Sequence, residues 1–356
     1  MQDLTNEQWT QALRTRFRNE TGSRRPVRFP SDRYIRISGN TQHVRLHLNS
    51  AAILANMQTN QSAFEAWALA LMRWCDVERV ELAWDSTTIP AHAPHYQRFL
   101  YRARHFGELL GNRFILADPQ KFADLRLDRT TNAHINRASV RKPGKFVPFP
   151  SSETEIEVYL AHPGSAFRAY LEDEHGLFRL DRQFPVGVFA GTPQRGRELF
   201  TAATSAIDLI GRDRNDGLWI FELKKPENLP MGGLSEMFFY SLVVRDLSEG
   251  RIQFIDEPPA NAGAIAPRDL AGAKRIHVRL AATAFHPLID EKLIAYLNGD
   301  RANLAGANSQ DASADQSSKP PPGRCDQAGA GAPRTPIDYA LFDLSPFLPK
   351  PISRTP

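Results

Sequence analysis

Cysteine is almost missing from this 356-residue chain: Cys75 falls in an apolar run and Cys325 in a polar one. Two thiols so placed exclude a disulfide framework and offer no zinc-ligand spacing, which fits a reducing compartment. No run of about eighteen apolar residues occurs, so no membrane-spanning helix is expected. The opening residues MQDLTNEQWT lack the basic start and apolar core of a signal peptide, and a cytoplasmic location is the expectation. Internal repeats are absent as well. With 42% hydrophobic and 24% charged residues, what remains is the composition of a chain that can bury a sizeable core.

Acidic charge is scarce at the front. Residues 1–150 hold 22 Lys and Arg against 13 Asp and Glu, whereas the remainder holds 22 against 27. The front half therefore carries +9 and the rest −5, against a net charge of +4 overall. A basic front suits a polyanion, with Arg24, Arg25 and Arg28, then Arg141, Lys142 and Lys145, as candidate phosphate contacts. Neither a zinc-finger nor an RNP pattern is present, so base-specific reading is not expected.

Hydrophobic periodicity divides the chain. Thr5 and Gln8 form a capping box ahead of a basic amphipathic helix carrying Trp9, Leu13 and Phe17. YIRIS and HVRLHL alternate around Gly39-Asn40 as a hairpin, followed by an apolar helix over 63–75, a strand over 77–84, a helix over 95–110 and a strand over 113–118. Residues 1–120 thus read as a basic α+β module that binds or senses nucleic acid, and 121–150 as a mobile basic connector. The α/β unit expected over 151–300 begins with EIEVYLA, read as a strand, and a helix from Ser165 to Glu172. Short strands follow near 177–180 and 185–189, then AIDLIG and LWIFELKK as paired strands across Asn215-Asp216-Gly217. A helix over 233–247, the strand KRIHVRLAA and a helix over 288–297 complete it. Residues 301–336 are too polar and small to order themselves, and 337–356 regain enough aromatic character to dock on the body or on a partner.

The chemically informative residues lie on the paired strands. In LWIFELKK the period of two places Trp219, Phe221 and Leu223 on one face and Leu218, Ile220, Glu222 and Lys224 on the other. A carboxylate and an ammonium in a buried strand need compensation. Asp208, fourteen positions before Glu222, lies on the neighbouring strand. Asp208, Glu222 and the Leu223 carbonyl are hard oxygen donors of the kind Mg²⁺ takes in small number, and Lys224 beside them could orient an attacking water. The expected chemistry is phosphodiester hydrolysis.

These residues resemble the PD-(D/E)XK, or restriction-endonuclease-like, nuclease superfamily. SAIDLIGRDRNDGLWIFELKK looks like the corresponding strands of its NucS-like and RecB-like branches, with Ile207 in place of the proline of the name. The resemblance covers about residues 155–298 and implies a mixed central sheet flanked by helices, Mg²⁺ or Mn²⁺, and cleavage of nucleic acid, DNA before RNA. It implies that Asp208 and Glu222 hold metal and Lys224 assists the water. Glu236 and Tyr240 stand where several branches carry Gln-x-x-x-Tyr, and Glu198, preferred over Glu172, would supply a further acid from an early helix. Defence against foreign DNA or DNA repair would be natural settings, and a homodimer or a protein partner on the C-terminal segment would be compatible with them.

Rival patterns are weaker. His43 with His47, and His92 with His95, are joined by no carboxylate or cysteine pattern; Gly144-Lys145 lacks a phosphate loop's glycines; Ser235 sits in no nucleophile elbow. The alternative of another class is a catalytically inactive scaffold of the same fold that binds nucleic acid or a protein.

Overall fold

The structure, a computed structural model, describes residues 3–135, 144–200, 205–225, 230–254, 265, 267–299 and 334–349. The first unit runs α1 (Asn6–Thr21), β1 (Ile35–Gly39), β2 (Val44–Leu48), α2 (Ser50–Leu54), α3 (Phe64–Trp74), β3 (Val80–Trp84), α4 (Pro94–Leu110) and β4 (Phe114–Leu116). Its sheet has the order β1-β2-β3-β4, with β1 and β2 antiparallel and the others parallel. The Thr5–Gln8 capping box starts α1 as the sequence implies, and Trp9, Leu13 and Phe17 form its buried stripe.

The second unit follows through β5 (Ala133–Ile135), α5 (Glu153–Ala161), α6 (Ala166–His175), β6 (Leu177–Pro185), β7 (Val188–Ala190), β8 (Ala206–Asp213), β9 (Gly217–Lys224), α7 (Gly232–Ser248), α8 (Pro267–Leu270), β10 (Arg275–Ala282), α9 (Glu291–Leu297) and β11 (Ile337–Asp343). Its mixed sheet has the order β11-β10-β9-β8-β6, parallel from β11 to β9 and antiparallel from β9 to β6. Helices α5 and α6 cover one face and α7 and α9 the other. The class is therefore α/β, with mixed sheets flanked by helices. Among the described residues no helix is long and apolar enough to cross a membrane.

Strand β9 shows why the layers form. Trp219, Phe221 and Leu223 join Phe167, Leu171 and Phe342 on the α5–α6 side, while Leu218 and Ile220 join the larger core beneath α7. Burying a side chain such as Phe221, 0% exposed, stabilises by about 1.5–3 kcal/mol. The turn before β9 is held by Asp213, whose Oδ1 accepts the Asn215 and Gly217 amides and whose Oδ2 accepts Trp219 Nε1 at 2.8 Å. Asp216 takes the left-handed φ of 65° that this turn requires.

Several expectations are corrected. EIEVYLA is the helix α5, not a strand: Ser152 and Glu155 make a capping box, and Ile156, Glu157 and Leu160 are buried at helical spacing. The stretch expected as a mobile connector is built into the fold up to residue 135, because Leu125, Leu127, Ala133 and Ile135 are buried and β5 pairs with β7. Residues 136–143, and with them Arg141 and Lys142, lie outside the described residues, as do 301–333 of the stretch expected to be disordered. Residues 334–336 lead into β11, with Arg334 Nη1 donating to Glu108 Oε2 at 2.8 Å. The terminal segment docks on the body, as β11 along β10.

The two units share one hydrophobic core, since α3 packs on α7 and α9. Trp74 Nε1 donates to the Leu288 carbonyl at 2.9 Å, and Tyr101 donates to Asp246 at 2.8 Å. At the start of α7, Gly232 abuts the Gln58 backbone so closely that a Cβ would collide with its carbonyl. That contact brings the segment after α2 against the start of α7.

Candidate active site

The site forms where β8 and β9 part. Their ladder ends at the pair Leu209 and Phe221, so Asp208 and Glu222 face each other at the fork without backbone pairing. Asp208 Oδ2 accepts the Leu223 amide at 2.8 Å and so replaces the missing ladder bond. On the other side Gln183 stands opposite Asp208 in the β6–β8 register, with its amide 3.5 Å from Asp208 Oδ1. Gln183 holds a φ of 56°, a costly conformation for a non-glycine residue inside a strand.

Lys224, two residues along β9, points the same way as Glu222. Its Nζ donates to Glu222 Oε1 at 2.6 Å and to Glu236 Oε2 at 2.9 Å, and lies 3.8 Å from Glu153. Glu236 Oε1 accepts the Tyr240 hydroxyl at 2.8 Å, one turn further along α7, and the side-chain amide of Gln58. Glu222 and Glu236 are 2% and 1% exposed. These groups line a cavity of about 430 Å³ together with Asn56, Met57, His95, Arg98, Ser205 and Ala206.

Its electrostatics are those of crowded acids. Burial, then the neighbouring Glu157 and Glu236, push the Asp208 carboxyl well above the carboxylate range although Lys224 pulls it down. Glu222 is raised by burial and by Asp208 and Glu236. Burial would also raise Glu236, but Lys224 and hydrogen bonds from Glu222, Gln58 and Lys224 hold it below its ordinary value. Burial works against the Lys224 ammonium, yet Glu222, Glu236 and Asp208 together raise it well above the usual lysine value. Burial and Glu236 raise the Tyr240 phenol.

One atom of the cluster is left over. Glu222 Oε2 is buried and accepts no hydrogen bond from a described donor. Only a proton on one of the two carboxyls lets Glu222 share a bond with Glu236. A divalent cation would satisfy that oxygen and relieve the repulsion with Asp208, so the donor set fits a hard cation. Among the described residues no three His, Cys, Asp or Glu side chains are arranged to hold a metal ion, so protein ligation would rest on the two carboxylates. Leu223 does not line the cavity; its amide serves Asp208.

The structure thus brings together Asp208, Glu222, Lys224, Glu236 and Tyr240. It does not bring Glu198, whose carboxylate accepts the Gly196 amide at 2.6 Å, or Glu172, which pairs with Arg168 at 2.8 Å. The acids from a helix are instead Glu153, on the cavity wall, and Glu157, 3% exposed behind Asp208, both on α5. The signal that could have found them is the Ser152–Glu155 capping box, which makes Glu153 and Glu157 neighbours on one helix face. Arg24, Arg25, Arg28 and Lys145 are exposed and away from the cavity lining. The first unit contributes Gln58, His95 and Arg98 instead, and no local motif marks them. No family model, curated protein or solved structure matches this chain.

Proposed function

We propose that the protein is a metal-dependent nuclease with a restriction-endonuclease-like core, hydrolysing phosphodiester bonds at the β8–β9 fork. The observation that carries this reading is the meeting of Asp208, Glu222 and Lys224 in one cavity, with Glu222 Oε2 buried and accepting no hydrogen bond from a described donor. Asp208 and Glu222 would hold Mg²⁺ or Mn²⁺, which when bound supplies Lewis-acid stabilisation of charge on the phosphate. Lys224 keeps its proton through its carboxylate neighbours and presents a fixed positive charge to the nucleophile or the developing oxyanion. Tyr240 and Gln58 hold Glu236, and Glu236 in turn holds Lys224. The excess of carboxylates would repel phosphate in the absence of a cation, so substrate binding itself should need the metal.

A second reading, an inactive scaffold of this fold, is favoured by one observation: the ammonium of Lys224 is already engaged by Glu222 and Glu236. Incubation of the full chain with DNA and RNA in Mg²⁺ or Mn²⁺ separates the two. Metal-dependent cleavage that falls at least about hundredfold in both Asp208→Ala and Lys224→Ala supports the nuclease. Cleavage equal in wild type and variants, or none with any substrate, supports the scaffold.

A further inference from the structure

The first unit has a cavity of its own. It holds about 460 Å³ and shares no lining residue with the cavity at the β8–β9 fork. It lies where the parallel strands β2 and β3 reach their carboxyl ends beside the start of β1, the side on which open α/β sheets take ligands. Asn49 ties this wall together. Its backbone amide donates to the Tyr34 carbonyl at 3.1 Å, its side-chain amide donates to the Arg33 carbonyl, and its Oδ1 accepts the Ala52 amide at 2.9 Å.

The charges lining the cavity are unevenly engaged. Asp85 Oδ1 lies 3.1 Å from His47 Nε2, and Asp32 Oδ1 accepts the Ser31 hydroxyl at 3.4 Å. Among the described residues no oxygen accepts from the guanidinium of Arg33 or Arg36. Arg33 lies over the Tyr34 ring, 5.7 Å from its centre, and Arg36 stands opposite His47 in the β1–β2 register. Two guanidiniums lining one cavity without an acceptor suit the oxygens of a phosphate monoester, which each can meet with parallel donors. A bare phosphate would leave the Asp32 carboxylate facing an anion. A ligand with hydroxyls beside its phosphate answers both signs, because a carboxylate accepts from a hydroxyl. The volume and the Tyr34 ring leave room for a planar base as well.

We propose that this cavity binds a nucleoside monophosphate group, with Arg33 and Arg36 on the phosphate, Asp32 on the sugar hydroxyls and Tyr34 beside the base. A free nucleotide and the phosphorylated end of a nucleic-acid strand carry that group alike. Because the site is separate from the fork, its test involves no cleavage. Binding to the full chain is measured by calorimetry in EDTA, where the crowded carboxylates of the other cavity have no cation and repel phosphate. The probes are adenosine monophosphate, adenosine, ribose phosphate, and tetra-adenylate with and without a terminal phosphate. The proteins are wild type, Arg33→Gln, Arg36→Gln and, as an exposed arginine outside the cavity, Arg24→Gln. Melting curves establish that each variant is folded.

The phosphorylated probe, as free nucleotide or strand end, should bind saturably to the wild type. Adenosine and ribose phosphate should bind at least about tenfold more weakly, and Arg33→Gln and Arg36→Gln should each lose at least about tenfold, whereas Arg24→Gln should lose nothing. Binding of the nucleotide with exclusion of both tetra-adenylates assigns the site to a free nucleotide; binding of tetra-adenylate only when it is phosphorylated assigns it to a strand end. No saturable binding of either phosphorylated probe would overturn the proposal. So would adenosine or ribose phosphate bound as tightly as the nucleotide, or an equal loss in Arg24→Gln. Should one cavity variant fail to fold, the other decides, and the comparison of probes on the wild type decides without either.

Discussion

Consecutive residues of α7, Ser235 and Glu236, belong to two clusters of buried charge that solve the same problem differently. Ser235 donates at 2.7 Å to Glu65 Oε2, and Glu65 also accepts Arg102 Nε at 2.6 Å, while Arg102 reaches the Ser62 carbonyl at 3.0 Å. That cluster sets a guanidinium directly against a carboxylate, and among the described residues neither Glu65 nor Arg102 has a buried side-chain atom left without a hydrogen bond. Glu236 belongs to a cluster in which Lys224 faces Glu222, Asp208 and Glu153 as well, one carboxylate oxygen accepts from no described donor, and a cavity opens alongside. The balanced cluster joins the two units of the fold. The unbalanced one stores repulsion that a bound cation can relieve.

The largest effect that can break this contrast is on the balanced side. Arg102→Met leaves Glu65 charged, buried and unpaired, and should lower stability by about 3–5 kcal/mol in urea unfolding. A loss below about 1 kcal/mol would mean that the pair is not what joins the units.

On the unbalanced side the sign reverses. Asp208→Asn keeps an acceptor for the Leu223 amide but removes one ionisable acid from the crowded set, so it should raise stability by roughly 1 kcal/mol. A destabilisation comparable to that of Arg102→Met would erase the distinction between the clusters.

The smallest effect concerns a half-buried polar group kept without charge. His286 is held neutral by burial, with its pKa lowered from 6.5 to about 4, and its Nδ1 accepts the Leu288 amide at 3.2 Å. Between those two pH values the unfolded chain binds a proton that the folded one refuses, so stability falls as pH drops from 6.5 to about 4 and this contribution is flat below. His286→Gln should show a shallower acid limb than wild type in denaturation midpoints measured across that range; an identical limb would show that His286 protonates freely in the fold.

How much of this was legible beforehand depended on how local the cause was. The alternation of LWIFELKK placed Glu222 and Lys224 on one face, and the turn before it paired that strand with the one bearing Asp208. In EIEVYLA the alternation of Ile156, Val158 and Leu160 imitates a strand and conceals Glu153 and Glu157, whereas the Ser152–Glu155 cap decides for helix. Strand β11 pairs with β10 across a separation of sixty-one positions from Ile276 to Ile337, a distance over which no periodicity speaks. Gln58, His95 and Arg98 reach the site only because the units share a core and Gly232 admits the Gln58 backbone. That is tertiary packing, which no motif encodes.

The unbalanced cluster can be examined by calorimetric titration of Mn²⁺ into the wild-type full chain and into Asp208→Asn at neutral pH. The expected result is saturable binding in the wild type with proton release, since a cation displaces protons from crowded carboxyls, and its loss in the variant. Equal binding in both proteins, or none in the wild type, would contradict a cation site at the fork.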